Sequence, residues 1–285
     1  MKVVKIIKKI SFSLITAFIL LVIYLPLYWM LSTSLKDPYE AFELPPKWIF
    51  VPKFDNYIAT LSPGSGIFIP GAHTLSPKYF VNSAITSLSA TVFVIIISLP
   101  AAYALSKYKI RGGGSIMRWI LSTAMAPPIA MILPYYVLWK ALNLIDAYPS
   151  LIFMYIILNL PLAIWILKGF FDDVPRELEE AALVDGAGGF YRFFYVTLPL
   201  TFPGVVVTAF FSLIISWNEF LFALILTGSN TATVPLGLYG FVSLQGIMWA
   251  QLCTSGTLYI IPPLVFIAIF RRRITRVMSL GVVRG

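Results

Sequence analysis

The chain has 285 residues, 59% of them hydrophobic and 12% charged, with a formal net charge of +9. So little polar surface cannot cover a water-soluble domain of this length, so hydrocarbon must solvate much of the chain. In a soluble protein the positive charge would point to nucleic acid. Here Lys and Arg flank apolar stretches and read as orientation signals, so no nucleic-acid partner is expected.

In lipid every backbone N–H and C=O must be paired within the chain, which leaves helices or a closed barrel. A barrel would show alternating segments of roughly ten residues, and none is found. The fold class expected is therefore all-α, a polytopic membrane protein of about six transmembrane helices. One cysteine, Cys253, and one histidine, His73, exclude an intrachain disulfide and a Cys/His metal cluster. No Ser/His/Asp or Cys/His pattern points to nucleophilic catalysis. No G-x-x-x-x-G-K-[ST] run is found, so this chain is not expected to bind ATP through a P-loop.

Lys2, Lys5, Lys8 and Lys9 precede a first apolar run at about residues 10–31. It exceeds a signal peptide's usual apolar core and lacks a small-residue cleavage site, so an uncleaved first span is expected. Residues 36–78 are polar and proline-rich, with a loop signal at Ser62-Pro63-Gly64-Ser65-Gly66, and read as an external loop. A second span, about 80–105, ends in Lys107, Lys109 and Arg111, before a Gly112-Gly113-Gly114 turn. A third, about 116–139, carries Pro127-Pro128 and Pro134, breaks that membrane bundles tolerate where neighbours or cavity water satisfy the freed carbonyls. A fourth covers about 149–170, a fifth about 199–226, and a sixth about 255–270, before Arg271, Arg272, Arg273, Arg276 and Arg284. Trp139, Trp165 and Trp249 read as interfacial aromatics. With an even number of spans the basic clusters fall on one side, so both termini are expected in the cytoplasm of a cell membrane and residues 172–197 form a cytoplasmic loop. All of this reads as one transmembrane domain, residues 1–285.

That loop predicts a short helix capped by Asp173, with Pro175 and Glu177 in its first turn and Gly186 closing it in a left-handed conformation. Ala181 and Ala182 make a small-residue patch that lets a partner approach the backbone. An amphipathic helix lying on headgroups is usually basic on its polar face. This one is mainly acidic, which suits a protein partner.

Glu180-Ala181-Ala182-x-x-Asp185-Gly186-Ala187, followed by Thr197-Leu198-Pro199, resembles the EAA loop of ABC importer permeases. Phe54-Asp55-Asn56-Tyr57, Asn82-Ser83, Ala101-Ala102-Tyr103-Ala104-Leu105 and Trp217-Asn218-Glu219-Phe220 resemble the carbohydrate branch of that family. The terminal Gly281-Val282-Val283-Arg284-Gly285 is similar to the tail of its second permease, like the maltose importer's shorter one. The approach to that tail departs from the family pattern, with Arg271-Arg272-Arg273 and Met278-Ser279-Leu280 in place of the usual residues. The resemblance implies a type I importer fold. It implies a heterodimer of permeases, two ATPase subunits, an extracellular sugar-binding protein and a sugar substrate. It implies no enzyme activity and no cofactor in this chain, with ATP and Mg held by the partner subunits. It makes Glu180, Ala181, Ala182, Asp185, Gly186 and Pro199 the ATPase-coupling residues, and Val283, Arg284 and Gly285 a tail contact with the ATPase. It also implies that the membrane sugar site lies largely on the other permease.

For the substrate pathway the candidates are Asn159, Trp217, Asn218 and Glu219. An ionisable group inside a span is expensive unless it faces a cavity or a partner, and Trp with Asn suits a sugar. Equally, Glu219 reads as reaching water at the membrane edge, and Asn159 as bonding a neighbouring helix. An ion-coupled secondary transporter, a membrane scaffold or an ABC permease for a non-sugar solute are the alternatives. The first two give no reason for the Glu180-to-Pro199 loop.

Overall fold

Helix α1, Lys2–Ser34, holds the first apolar run in a computed structural model that describes residues 2–61, 77–243 and 246–282. The Ser62–Gly66 loop signal and the expected tail contact at Val283, Arg284 and Gly285 lie outside these residues. The remaining helices are α2 (Asp55–Leu61), α3 (Pro77–Lys107), α4 (Gly113–Thr123), α5 (Pro128–Ala141), α6 (Tyr148–Asp172), α7 (Arg176–Val184), α8 (Gly189–Trp217), α9 (Leu221–Leu226), α10 (Val234–Tyr239) and α11 (Trp249–Val282). A 3-10 turn at Glu40–Phe42 and a two-stranded antiparallel pair, Val242–Ser243 with Gly246–Ile247, complete the described elements. Among the described residues, α1, α3, α6, α8 and α11 are each long and apolar enough to cross a membrane. The pair α4 and α5, bent by 85° at its break, makes a sixth if the two together count as one span.

The bend has a local cause. Pro128 bars its predecessor from helical backbone, and Pro127 is extended at φ −65°, ψ 125°. Pro128 then opens α5, where its missing N–H costs nothing. The expected third span is thus two helices, whereas Pro134 sits inside α5 without ending it. The fifth span also stops early: α8 ends at Trp217 and α9 begins at Leu221.

The chain forms two compact units. In the first, residues 1–77 with 237–261, the end of α1 is tied down by polar bonds. Ser34 Oγ meets the Tyr57 hydroxyl at 2.7 Å, and the Ser34 carbonyl accepts from Asn56 Nδ2 and Thr254 Oγ1, each at 3.2 Å. Lys36 is buried beside them, its ammonium 4.5 Å from the Trp29 ring centroid.

In the second unit, residues 78–236 with 262–285, α6 and α8 pack closely. A Cβ at Gly204 would overlap the Phe170 ring, so only glycine allows this approach. Asn159 Nδ2 bonds Ser216 Oγ across the same pair at 3.1 Å. One apolar cluster joins Ala90, Trp139, Met154, Tyr155 and Phe222, and another joins Ala102, Tyr103, Ile164, Leu167 and Phe171. Trp139 is therefore in the core rather than an interfacial belt: it is 7% exposed, against Phe153 at 5.3 Å, because α5 packs there against α6 and α9. Trp165 and Trp249 are exposed.

Asp146, in the left-handed region at φ +58°, organises the loop after α9. Its carboxylate accepts from the backbone N–H groups of Gly228, Asn230 and Thr231 and from the Thr231 hydroxyl, at 2.8 to 3.1 Å. Burial pushes this carboxyl up, but those donors outweigh it and hold it below the ordinary carboxylate range.

Candidate functional site

The link from α6 to the expected docking helix is three residues long. Asp173 closes α6 and does not cap α7, and Pro175 takes the N-cap position with extended backbone. Proline at 175 pushes Val174 out of helical backbone, so α7 starts only at Arg176. Glu177 and Glu179 fall in its first turn, where the helix dipole favours negative charge.

The far end follows the sequence. Gly186 has φ +82°, the Ala187 N–H donates to the Ala182 carbonyl at 2.9 Å, and the Gly186 N–H donates to Leu183 at 3.0 Å. These two bonds are a Schellman motif, which satisfies carbonyls the helix end would otherwise orphan. A concavity of about 430 Å³ opens there, lined by Ala182, Asp185, Gly186, Ala187, Gly188 and Tyr191. Glu180, Ala181, Asp185 and Gly186 are exposed, and Ala182 is half-buried. The structure thus brings five of the six expected coupling residues together at one helix and its closing turn. Pro199 stands apart in α8, beyond a π-helical stretch at Arg192–Thr197. Pro199 lacks the N–H an α-helix needs from it, and the turn leading into it is the π-helical one, whereas Pro203 sits within regular α-helix.

Sequence reasoning passed over Glu179. Its side chain is buried whereas that of Glu180 is exposed, since neighbours on a helix point about 100° apart and so leave the helix in different directions. It accepts from Thr197 Oγ1 at 2.6 Å and from the Tyr103 hydroxyl at 3.4 Å, with Lys107 Nζ at 3.8 Å. Lys107 Nζ also donates to the Val174 carbonyl at 2.7 Å, and Ser106 Oγ bonds the Asp172 carboxylate at 2.6 Å. One sequence signal existed: Glu179 shares a helix face with Ala182, three residues on.

Residues 94–279 match the family model described as a binding-protein-dependent transport system inner membrane component. The chain belongs to this family. This permease is 33% identical over 266 residues to the trehalose transport system permease protein SugB of Mycobacterium tuberculosis, covering 92% of each chain. It is 31% identical over 263 residues to the trehalose/maltose transport system permease protein MalG of Thermococcus litoralis, covering 91% of each. Its fold is that of a chain in the crystal structure of a bacterial ABC transporter involved in the import of the acidic polysaccharide alginate. There the TM-score is 0.72 at 18% identity, over 93% of this permease and 96% of that chain.

The pathway candidates lie around the junction of α8 and α9. Trp217 is buried at the end of α8, and Asn218 is exposed, its Nδ2 donating to Ile214 at 2.8 Å. Glu219 is half-buried and accepts from the backbone N–H groups of Phe222 at 2.9 Å and Ala223 at 3.2 Å. Asn159 is buried between α6 and α8. The local bonds made by Asn159, Asn218 and Glu219 are to helix backbone and to a neighbouring helix.

Proposed function

We propose that this permease forms half of the translocation pathway for a mono- or oligosaccharide delivered by an extracellular binding protein. A second permease subunit supplies the other half. Two cytoplasmic ATPase subunits hold the ATP and Mg and drive the cycle. Both termini and α7 face the cytoplasm, in keeping with the basic residues that flank the expected cytoplasmic ends of the spans. Relatives named for trehalose and for trehalose and maltose support a sugar substrate.

The observation that carries this reading is the docking face of α7. A nine-residue helix with exposed Glu180 and Ala181 ends in a glycine turn over a concavity lined mostly by small residues, with Asp185 and Tyr191. A partner surface can approach that backbone closely, and a rigid closure lets the helix move as a body with it. ATP and the loaded binding protein must each prefer one state of the complex, since a ligand without differential affinity shifts nothing. Moving such an equilibrium from 1:99 to 99:1 takes about 5.5 kcal/mol of preference.

The test is uptake of labelled glucose, trehalose, maltose and maltotriose by proteoliposomes holding the whole complex, with and without ATP and binding protein. Gly186→Asp is the informative variant. Open space surrounds the position, so bulk and charge enter the concavity without a clash, and aspartate carries the left-handed backbone at less strain than most residues. Uptake is expected to need both ATP and binding protein, and to be lost in the variant while the chain stays in the membrane. Uptake that ignores ATP and follows an imposed ion gradient would mean a secondary transporter instead.

A further inference from the structure

The docking reading leaves one buried charge without a task. Glu179 belongs to α7 but leaves it in a different direction from the exposed Glu180, with its side chain only 9% accessible. Its partners come from two other helices. Thr197, at the end of the π-helical stretch of α8, donates to one carboxylate oxygen at 2.6 Å. Tyr103 and Lys107, in the last turns of α3, approach at 3.4 and 3.8 Å. Lys107 holds the chain a second time, through the Val174 carbonyl at 2.7 Å, just before α7 begins. So α7 does not hang on a loose linker. It is clamped to α3 and to the start of α8 at a point shielded from water.

A buried ion pair transmits force because it cannot slip cheaply. Pulling Glu179 away from Lys107 and Thr197 would leave a carboxylate and an ammonium uncompensated in a low-dielectric site. Displacing α7 therefore has to carry α3 and α8 with it. The π-helical stretch that ends at Thr197 is the kind of irregularity at which a helix adjusts with little cost. We infer that Glu179 is the transmission residue of this permease, the positioning group through which motion of α7 reaches the spanning helices α3 and α8. This rests on the coupling reading of α7, and it assigns to Glu179 a part distinct from docking.

The two parts separate experimentally. In the reconstituted complex with binding protein, ATP hydrolysis and uptake of a sugar transported by the wild type are measured together. Gly186→Asp, a docking change, is expected to abolish binding-protein-stimulated hydrolysis. Glu179→Gln is expected to leave the ATPase subunits bound and hydrolysing. It lowers sugar moved per ATP by about tenfold, within the span of factors by which linked sites couple. Thr197→Val, which keeps shape and removes only the hydroxyl, shifts the same ratio in the same direction and serves if Glu179→Gln does not accumulate. A covalent link should replace the lost one. With Cys253→Ala as background, Glu179→Cys and Thr197→Cys joined by a short bifunctional thiol reagent are expected to recover the ratio, and the unjoined pair is not. A wild-type ratio in both Glu179→Gln and Thr197→Val overturns the inference. So does loss of the ATPase subunits from Glu179→Gln in step with uptake, which would make Glu179 only a structural support. Should Gly186→Asp transport normally, the docking reading itself is at fault, and that outcome is visible apart from the Glu179 result.

Discussion

Glu219 sits where α8 has stopped and α9 has not begun, and its carboxylate accepts two N–H groups of the short helix that follows. The first amides of any helix lack intrahelical partners. A carboxylate one turn upstream meets that need and is favoured by the dipole. The geometry predicts different consequences for two substitutions. Glu219→Gln keeps a carbonyl oxygen for one amide and is expected to leave uptake near the wild-type rate. Glu219→Ala leaves both amides bare and should cost about 0.5–2 kcal/mol of stability, the usual range for a lost cap. Thermal unfolding of the purified complex, run beside uptake normalised to folded protein, checks this. A Glu219→Gln variant that unfolds like wild type yet transports nothing would place the charge itself in the pathway.

The pairing of α6 with α8 depends on a position with no side chain. A Cβ at Gly204 would overlap Phe170, and Asn159 bonds Ser216 along the same seam. Between membrane helices the gain comes from such close approach and from interhelical bonds, each worth about 0.6–2 kcal/mol, since lipid is as apolar as the helices. Gly204→Val is therefore expected to lower stability by about 1–3 kcal/mol through overpacking, read as a drop in the melting midpoint. Adding Phe170→Ala should recover part of it, and no recovery would mean that the ring is not the obstacle. Local punctuation was legible in the sequence at this scale. Pro175 and Gly186 bracket α7, and Pro127-Pro128 marks the break before α5. What depends on distant residues was not. The indole of Trp139 reads the same for core or interface, and Glu179 finds its hydroxyl partners 76 and 18 residues away. The early end of α8 shows the same limit: the apolar run continues through 221–226, and only Asn218-Glu219 hinted that the helix would not.

Across the whole molecule the apolar surface is the reverse of a soluble protein's. Along α1, residues 10–28 are exposed and a half-buried edge begins at Trp29, so lipid or a neighbouring chain must cover them. That surface says which helices meet hydrocarbon but not which end faces the cell interior. The proposed orientation rests on charge: Lys107 ends α3, Lys109 and Arg111 follow it, and Arg271 and Arg272 lie towards the end of α11, the ends that the positive-inside rule would place in the cytoplasm. The rule makes a prediction that one labelling experiment decides. Cys253 is the sole cysteine, so Cys253→Ala gives a thiol-free chain. Ile49 is 94% exposed in the expected external loop, and Val184 is 88% exposed on α7. In intact cells a membrane-impermeant maleimide is expected to label Ile49→Cys and to spare Val184→Cys until the membrane is permeabilised. Labelling of Val184→Cys from outside would put α7 beyond the reach of any cytoplasmic ATPase. The coupling reading would then fall at once, together with the role inferred for Glu179, whatever the transport assays gave.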